Sequence, residues 1–133
     1  MCKIGDIIFI NEYLDNGKVI SCHSFVVIND ASGEIQGLDY DIICNVMSSF
    51  QNEEHKNKKL KYYPKNYPVT SDDVTIIDNG NDKEGYIKIN QFYYFNKEKI
   101  DYKIIGYLDT DIFNEILKFI EEFDTVRKIT ENL

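Results

Sequence analysis

Residues 25 to 28, Phe-Val-Val-Ile, and residues 40 to 47, Tyr-Asp-Ile-Ile-Cys-Asn-Val-Met, are short runs in which most consecutive side chains are apolar. Successive side chains of an extended chain point to opposite faces, so such runs need cover on both sides. A sheet with one wet face would leave half of these side chains in water. The constraint points to central strands of a small barrel, with the rest of the chain wrapping or capping it.

The other segments fit that plan. Residues 5 to 13, GDIIFINEY, are rich in β-branched and aromatic residues and lead into Asp15-Asn16-Gly17, a strong turn signal. A hairpin return is expected over residues 19 to 29, closed by the polar ASGEIQG segment, with residues 40 to 47 as the third strand. From Ser48 to Lys61 the chain is polar, and the two prolines of YYPKNYPVT keep it extended, so a long loop or edge segment is expected. Residues 74 to 77 form a short strand, Asn79-Gly80 begins a turn, and residues 85 to 95, GYIKINQFYYF, make a fifth strand. The period then changes. After Asp109-Thr110, which offer N-cap side chains, Ile112, Phe113, Ile116, Leu117, Ile120 and Phe123 recur at helical spacing, with Asp111 and Glu115 near the start. The fold class is mainly β (α+β), a barrel or sandwich with a C-terminal amphipathic helix. At 133 residues the chain makes one domain, 1–133, with a core of its own.

Charge and cysteines exclude several functions. The net charge is −8, yet residues 55 to 65, HKNKKLKYYPK, hold five lysines and no acid. Such a field repels nucleic acid in general and leaves one local basic patch able to dock a short single strand. Cys2, Cys22 and Cys44 are odd in number and lack Cys-x-x-Cys spacing, so they read as reduced thiols of a cytoplasmic protein. Asp6 and Glu12 interrupt what a signal peptide would need, and no stretch reaches the length of a membrane span.

Most catalytic constellations are missing. His23 and His55 lie far apart with no helical pairing, and Asp72-Asp73 reads as a solvated loop as readily as a ligand set, so neither a metal nor another cofactor is expected. The glycines fall singly at turns, with no phosphate-gripping Gly-x-x-x-x-Gly-Lys. Cys22 and His23 are strand neighbours facing opposite ways, so they do not form a nucleophile and base. The KKLKYYPKNYP stretch is more informative. Lys58, Lys59 and Lys61 can neutralise phosphates while Tyr62, Tyr63 and Tyr67 offer faces for unpaired bases. Tyrosines covering the barrel from a solvated loop explain it equally well.

The order of several features carries a resemblance. Gly5-Asp6-Ile7-Ile8-Phe9 opens the chain, Phe25 to Ile28 is followed by Asn29-Asp30, a later apolar strand ends in Ser48-Ser49, and GYIKINQFYYF leads through KIIGYLD into an apolar helix. From about Lys3 to Phe123 this order resembles the MazF/PemK family of toxin-antitoxin ribonucleases. The resemblance implies an SH3-like β-barrel of five to seven strands, a homodimer, metal-free cleavage of single-stranded RNA by 2′-hydroxyl attack, and a cognate antitoxin that covers the RNA groove. In the family, an arginine of an Arg-Pro pair opening the second long strand and a threonine or serine ending the next carry the chemistry. Aligning Val26-Val27-Ile28 puts His23 and Ser24 where Arg-Pro would stand and gives Ser48 or Ser49 the hydroxyl position. The single arginine, Arg127, lies near the carboxy terminus, so the family's catalytic arginine is absent.

Two readings of that departure stay open. Imidazole titrates near pH ~6.5 and suits base or acid work better than guanidinium, though it is a poorer permanent cation. His23 then serves as catalyst with Ser48 or Ser49, while Ser24, Lys58, Lys59, Lys61, Tyr62 and Tyr63 hold RNA. Alternatively the barrel has lost catalysis and binds RNA or a protein.

Overall fold

The computed structural model describes residues 2–15, 18–35, 37–63, 65–76, 85–122 and 126–129. Strands β1 (Asp6–Asp15) and β2 (Lys18–Asn29) form the expected antiparallel hairpin, in register from Ile7↔Val26 to Asp15↔Lys18. Its two connecting residues, 16 and 17, lie outside the described residues. Strand β5 (Ile42–Ser49) then lies antiparallel along β2, with Ser24↔Met47 and Phe25↔Val46. Between them, β3 (Gly33–Ile35) and β4 (Leu38–Tyr40) make a separate small hairpin where the sequence had suggested only a polar connection. Tyr40 belongs to this hairpin and not to the third long strand. A Cβ at Gly33 would meet the outer end of the Tyr40 ring.

The chain continues through α1 (Glu53–Leu60), β6 (Asn66–Val69), β7 (Val74–Ile76), β8 (Gly85–Lys88), β9 (Gln91–Phe95), β10 (Tyr102–Leu108), α2 (Thr110–Glu121) and β11 (Val126–Ile129). The main path runs β11-β9-β5-β2-β1-β10-β7, a nearly closed, barrel-like sheet of seven strands, and β8 and β6 branch from β5. The mainly β fold with a C-terminal helix is thus the one the sequence called for. Among the described residues no helix is long and apolar enough to cross a membrane.

Both faces of the central strands are buried, as their composition requires. Phe25 and Val27 point to one side with Ile8, Ile10, Ile42, Cys44, Val46 and Phe95. Val26 and Ile28 point to the other with Ile7, Ile87, Ile105 and Leu108, under Phe113 and Ile116 of α2. The Phe25 ring meets Phe95 edge-on at 5.2 Å and Tyr93 at 5.3 Å, the geometry that aromatic quadrupoles favour. Gly5 holds the sheet where β1 begins. Its φ of 90° is open to glycine at no steric cost, its N–H donates to Val27 O and its carbonyl accepts from Leu108 N–H. The carboxylate of buried Asp6 accepts the Lys3 N–H at 2.9 Å and closes the turn. The opening Gly-Asp therefore has a structural cause.

Four expectations are corrected or limited. The stretch from 48 to 69 does include the expected edge segment, β6, but it also contains helix α1. Helix α1 buries no residue and shows no apolar stripe, so periodicity could not reveal it, but Asn52 caps it by accepting the His55 N–H, and acids precede lysines along it. Residues 102 to 108 form a further strand, β10, set between β1 and β7. Asn79-Gly80 and Phe123 lie outside the described residues.

The fourth correction concerns residues 85 to 95, which break into β8 and β9 at residues 89 and 90. β9 pairs with the first half of β5, Ile42 to Cys44, and β8 with its last three residues. At the break Asn45 is fully buried, and its Nδ2 donates to Gln91 O at 2.8 Å and Ile89 O at 3.4 Å. Its Oδ1 finds no donor among the described residues. Unsatisfied buried carbonyls cost about 1–3 kcal/mol each, so one side chain repairs the interrupted ladder. Asn45→Ala is expected to lower unfolding stability by about 2–3 kcal/mol, read from the urea midpoint. An unchanged midpoint would show that the break needs no such repair.

Candidate functional site

Strand register decides which sequence candidates can act together. Ser24 and Met47 pair across β2 and β5, Met47 pairs with Ile87 of β8, and Ile87 with Tyr67 of β6. Met47, Ile87 and Tyr67 all contribute to the α2 side, so Ser24 faces that side too. The next row runs Ser48↔Tyr86↔Pro68 and faces the opposite way. His23 lies two residues before Phe25, and Ser48 two residues after Val46, the partner of Phe25. His23 and Ser48 therefore share one face on neighbouring strands, one step beyond the Ser24↔Met47 pair. Directly opposed side chains stand roughly 4.5–5.5 Å apart at Cβ. Both are half-buried, at the rim of the Phe25 core.

The alternatives separate from this pair. Ser49 pairs with Gly85 and Gly85 with Val69, which faces α2, so Ser49 points away from His23 and is exposed. Register thus favours Ser48 as the partner hydroxyl. Gly85 also has a local reason: a Cβ there would overlap the Ser48 carbonyl oxygen, so β8 can approach β5 at this point only with glycine.

A group that the sequence reading left aside joins the same face. Tyr86, across from Ser48, stacks on Phe50 with centroids 5.2 Å apart. The His55 ring lies 6.4 Å from both, and Lys56 Nζ sits 5.8 Å from the Phe50 centroid. The polar stretch hid this because its signal is a cap, Asn52, and not a stripe.

Helix α1 then carries the chain round the edge. Past its end Tyr63 packs against Tyr67 at 6.0 Å and against Phe119 of α2 at 5.8 Å, on the face opposite to His23. The Asn66 side chain donates to Lys59 O at 3.0 Å and fixes the turn. Lys58 and Lys61 are exposed, Lys59 is half-buried, and Tyr62 is 65% exposed against 50% for Tyr63. Of the three candidate stacking rings Tyr67 is buried, and Tyr62 offers more free face than Tyr63. The basic stretch and the His23–Ser48 pair meet only through the start of α1.

Other candidates are explained locally. Asp73 accepts from Thr70 N–H at 2.8 Å in a capping box, which gives Asp72-Asp73 a structural role. Cys2 and Cys44 are free and buried. The side chain of Cys22 lies outside the described residues. Arg127 stands in β11, whose backbone pairs with β9, and β9 borders the half of β5 away from Ser48. Tyr67 donates to Glu115 at 2.7 Å. Burial, aided by the Glu115 carboxylate, pushes the Tyr67 phenol up. Burial likewise pushes up the Cys44 and Cys2 thiols and the Tyr102 phenol.

No protein-family model matches the chain, and no curated protein matches it.

The raised thiols and phenols set a direction for pH. Above the ordinary thiol value of about 9, the unfolded chain releases protons that the folded chain retains, so unfolding becomes easier as pH rises. Stability is expected to be intact below pH ~9 and to fall above it, first through Cys44 and Cys2 and then through Tyr67 and Tyr102. Urea midpoints between pH 7 and 10.5 check this, and a flat profile would contradict it.

Proposed function

We propose that this chain is a metal-independent endoribonuclease acting on single-stranded RNA, a cytoplasmic toxin of the MazF/PemK type that pairs with an antitoxin and works as a homodimer. The observation that carries the reading is the register that sets His23 and Ser48 on one face at the barrel rim. His23 takes the proton from a ribose 2′-hydroxyl, and that oxygen attacks the adjacent phosphorus. The bond to the 5′-oxygen breaks, leaving a cyclic phosphate and, once protonated, a free 5′-hydroxyl. Ser48 donates to a phosphoryl oxygen, where charge grows in the transition state. Lys58, Lys59 and Lys61 hold flanking phosphates, and Tyr62 stacks a base.

A second reading, a binding module without catalysis, draws on one specific observation. The chain's only arginine belongs to β11, which lies beyond β9 and beside the wrong half of β5. No guanidinium therefore comes from the position the family uses.

Expression in bacteria together with an RNA cleavage assay in EDTA separates the two. Wild type is expected to slow growth and cut single-stranded RNA. His23→Ala should lose about 10²–10⁴-fold in rate, the usual worth of a positioned acid or base, with Ser48→Ala losing less and Ser49→Ala little. A wild-type protein that cuts nothing yet binds single-stranded RNA in a salt-dependent manner favours the binding module. Equal cutting by wild type and His23→Ala would remove His23 from the chemistry.

A further inference from the structure

His55 is the group on this face that the mechanism above leaves unused. Its Nδ1 accepts the Gln51 N–H at 3.2 Å. The amide proton stays on its own nitrogen, so Nδ1 presents a lone pair and the proton of the neutral ring resides on Nε2. A ring held in this tautomer meets a ligand as a hydrogen-bond donor. Its backbone N–H is fixed by Asn52 Oδ1 at 2.8 Å, and the Phe50 and Tyr86 rings flank it. Tyr86 is the cross-strand partner of Ser48. His55, in α1, therefore lies on the β8 side of Ser48 while His23 stands on the β2 side, and the β2 and β8 backbones that flank β5 are roughly 10 Å apart. Lys56 brings a positive charge to the same ring cluster.

We propose that His55, with Lys56 beside it, is a further phosphate-binding donor of the site besides Ser48, its Nε2–H directed at a non-bridging phosphoryl oxygen of single-stranded RNA. No bond forms or breaks at His55. It supplies stabilisation of phosphoryl charge in a chain whose single arginine, Arg127, stands in β11. The assignment rests on the ribonuclease reading for the class of ligand.

Two substitutions separate the two ring nitrogens. His55→Asn keeps an acceptor near the Nδ1 position, and with it the Gln51 bond, but lacks the outer donor. His55→Gln places an amide N–H near Nε2 and gives up the Nδ1 acceptor. The full-length protein is titrated with a labelled 2′-O-methyl oligoribonucleotide, which cannot be cut, and fluorescence anisotropy is read at fixed low salt. Loss of one hydrogen bond to a charged oxygen corresponds to about tenfold, so His55→Asn is expected to weaken binding by about tenfold and His55→Gln by under about threefold. Binding by His55→Asn as tight as wild type, or equal weakening by both variants, overturns the assignment. Cleavage of unmodified RNA is measured in parallel. A wild type that binds with this His55 dependence but cuts nothing sinks the ribonuclease reading and leaves the phosphate site standing. A wild type that cuts, with His55→Asn binding and cutting equally well, sinks the phosphate site alone. A wild type that neither binds nor cuts sinks both.

Discussion

Strand β5 serves three neighbours, β2 along one edge and β9 then β8 along the other, and the buried amide of Asn45 makes that handover possible. A strand partner that breaks leaves carbonyls facing an apolar interior, where they have no water to turn to. Asn45 meets two of them from the strand they have left. The candidate site depends on this, because only after the break can β8 lie against the last residues of β5 and bring Tyr86 beside Ser48. Without the break the register of β9 carried on would set residues 88 to 90 opposite 47 to 49 and move Tyr86 past Ser48.

Helix α1 has a different logic from the rest of the molecule. It buries no side chain and holds together through its Asn52 cap and the order of its charges. It starts on the His23 face, against Tyr86, and its exit turn lies on the α2 face, against Tyr67 and Phe119. A strand with one free edge is a hazard for unwanted pairing, and a polar helix passing round β6 moderates it. The same path means that the lysines do not form one patch around His23. Any RNA held by both would have to follow the helix over the edge of the sheet.

Much of the fold was legible because its main demand is local. Runs such as Phe25 to Ile28 announce two-sided burial by composition alone, and the stripe from Ile112 to Ile120 announces the last helix. The interruption at residues 89 and 90 was not legible, because its cause, Asn45, lies 44 residues away and shows only as one polar residue in an apolar strand. Helix α1 escaped because a solvated helix leaves no hydrophobic period. The site was half legible. His23 and a serine at 48 or 49 became candidates only through the family resemblance, whereas the preference for Ser48 required the register, since neighbours in a strand face opposite ways. The nearness of His55 to Ser48 was not legible, because the link between them passes through Tyr86.

Closure of the sheet also has a history in time. β1 pairs on one side with β2, a few residues downstream, and on the other with β10, so Ile7 lies opposite Gly106 and the Gly5 carbonyl waits for the Leu108 N–H. A chain growing from its amino terminus completes the first hairpin early and then carries an unpaired, strongly apolar strand edge through most of its synthesis. Pairings of such long sequence separation are slow, and exposed edges in the interval invite other chains. The nascent protein is therefore most vulnerable until β10 is made, and a partner able to shield the β1 edge during that interval would act as a folding aid, whatever it does to the finished barrel.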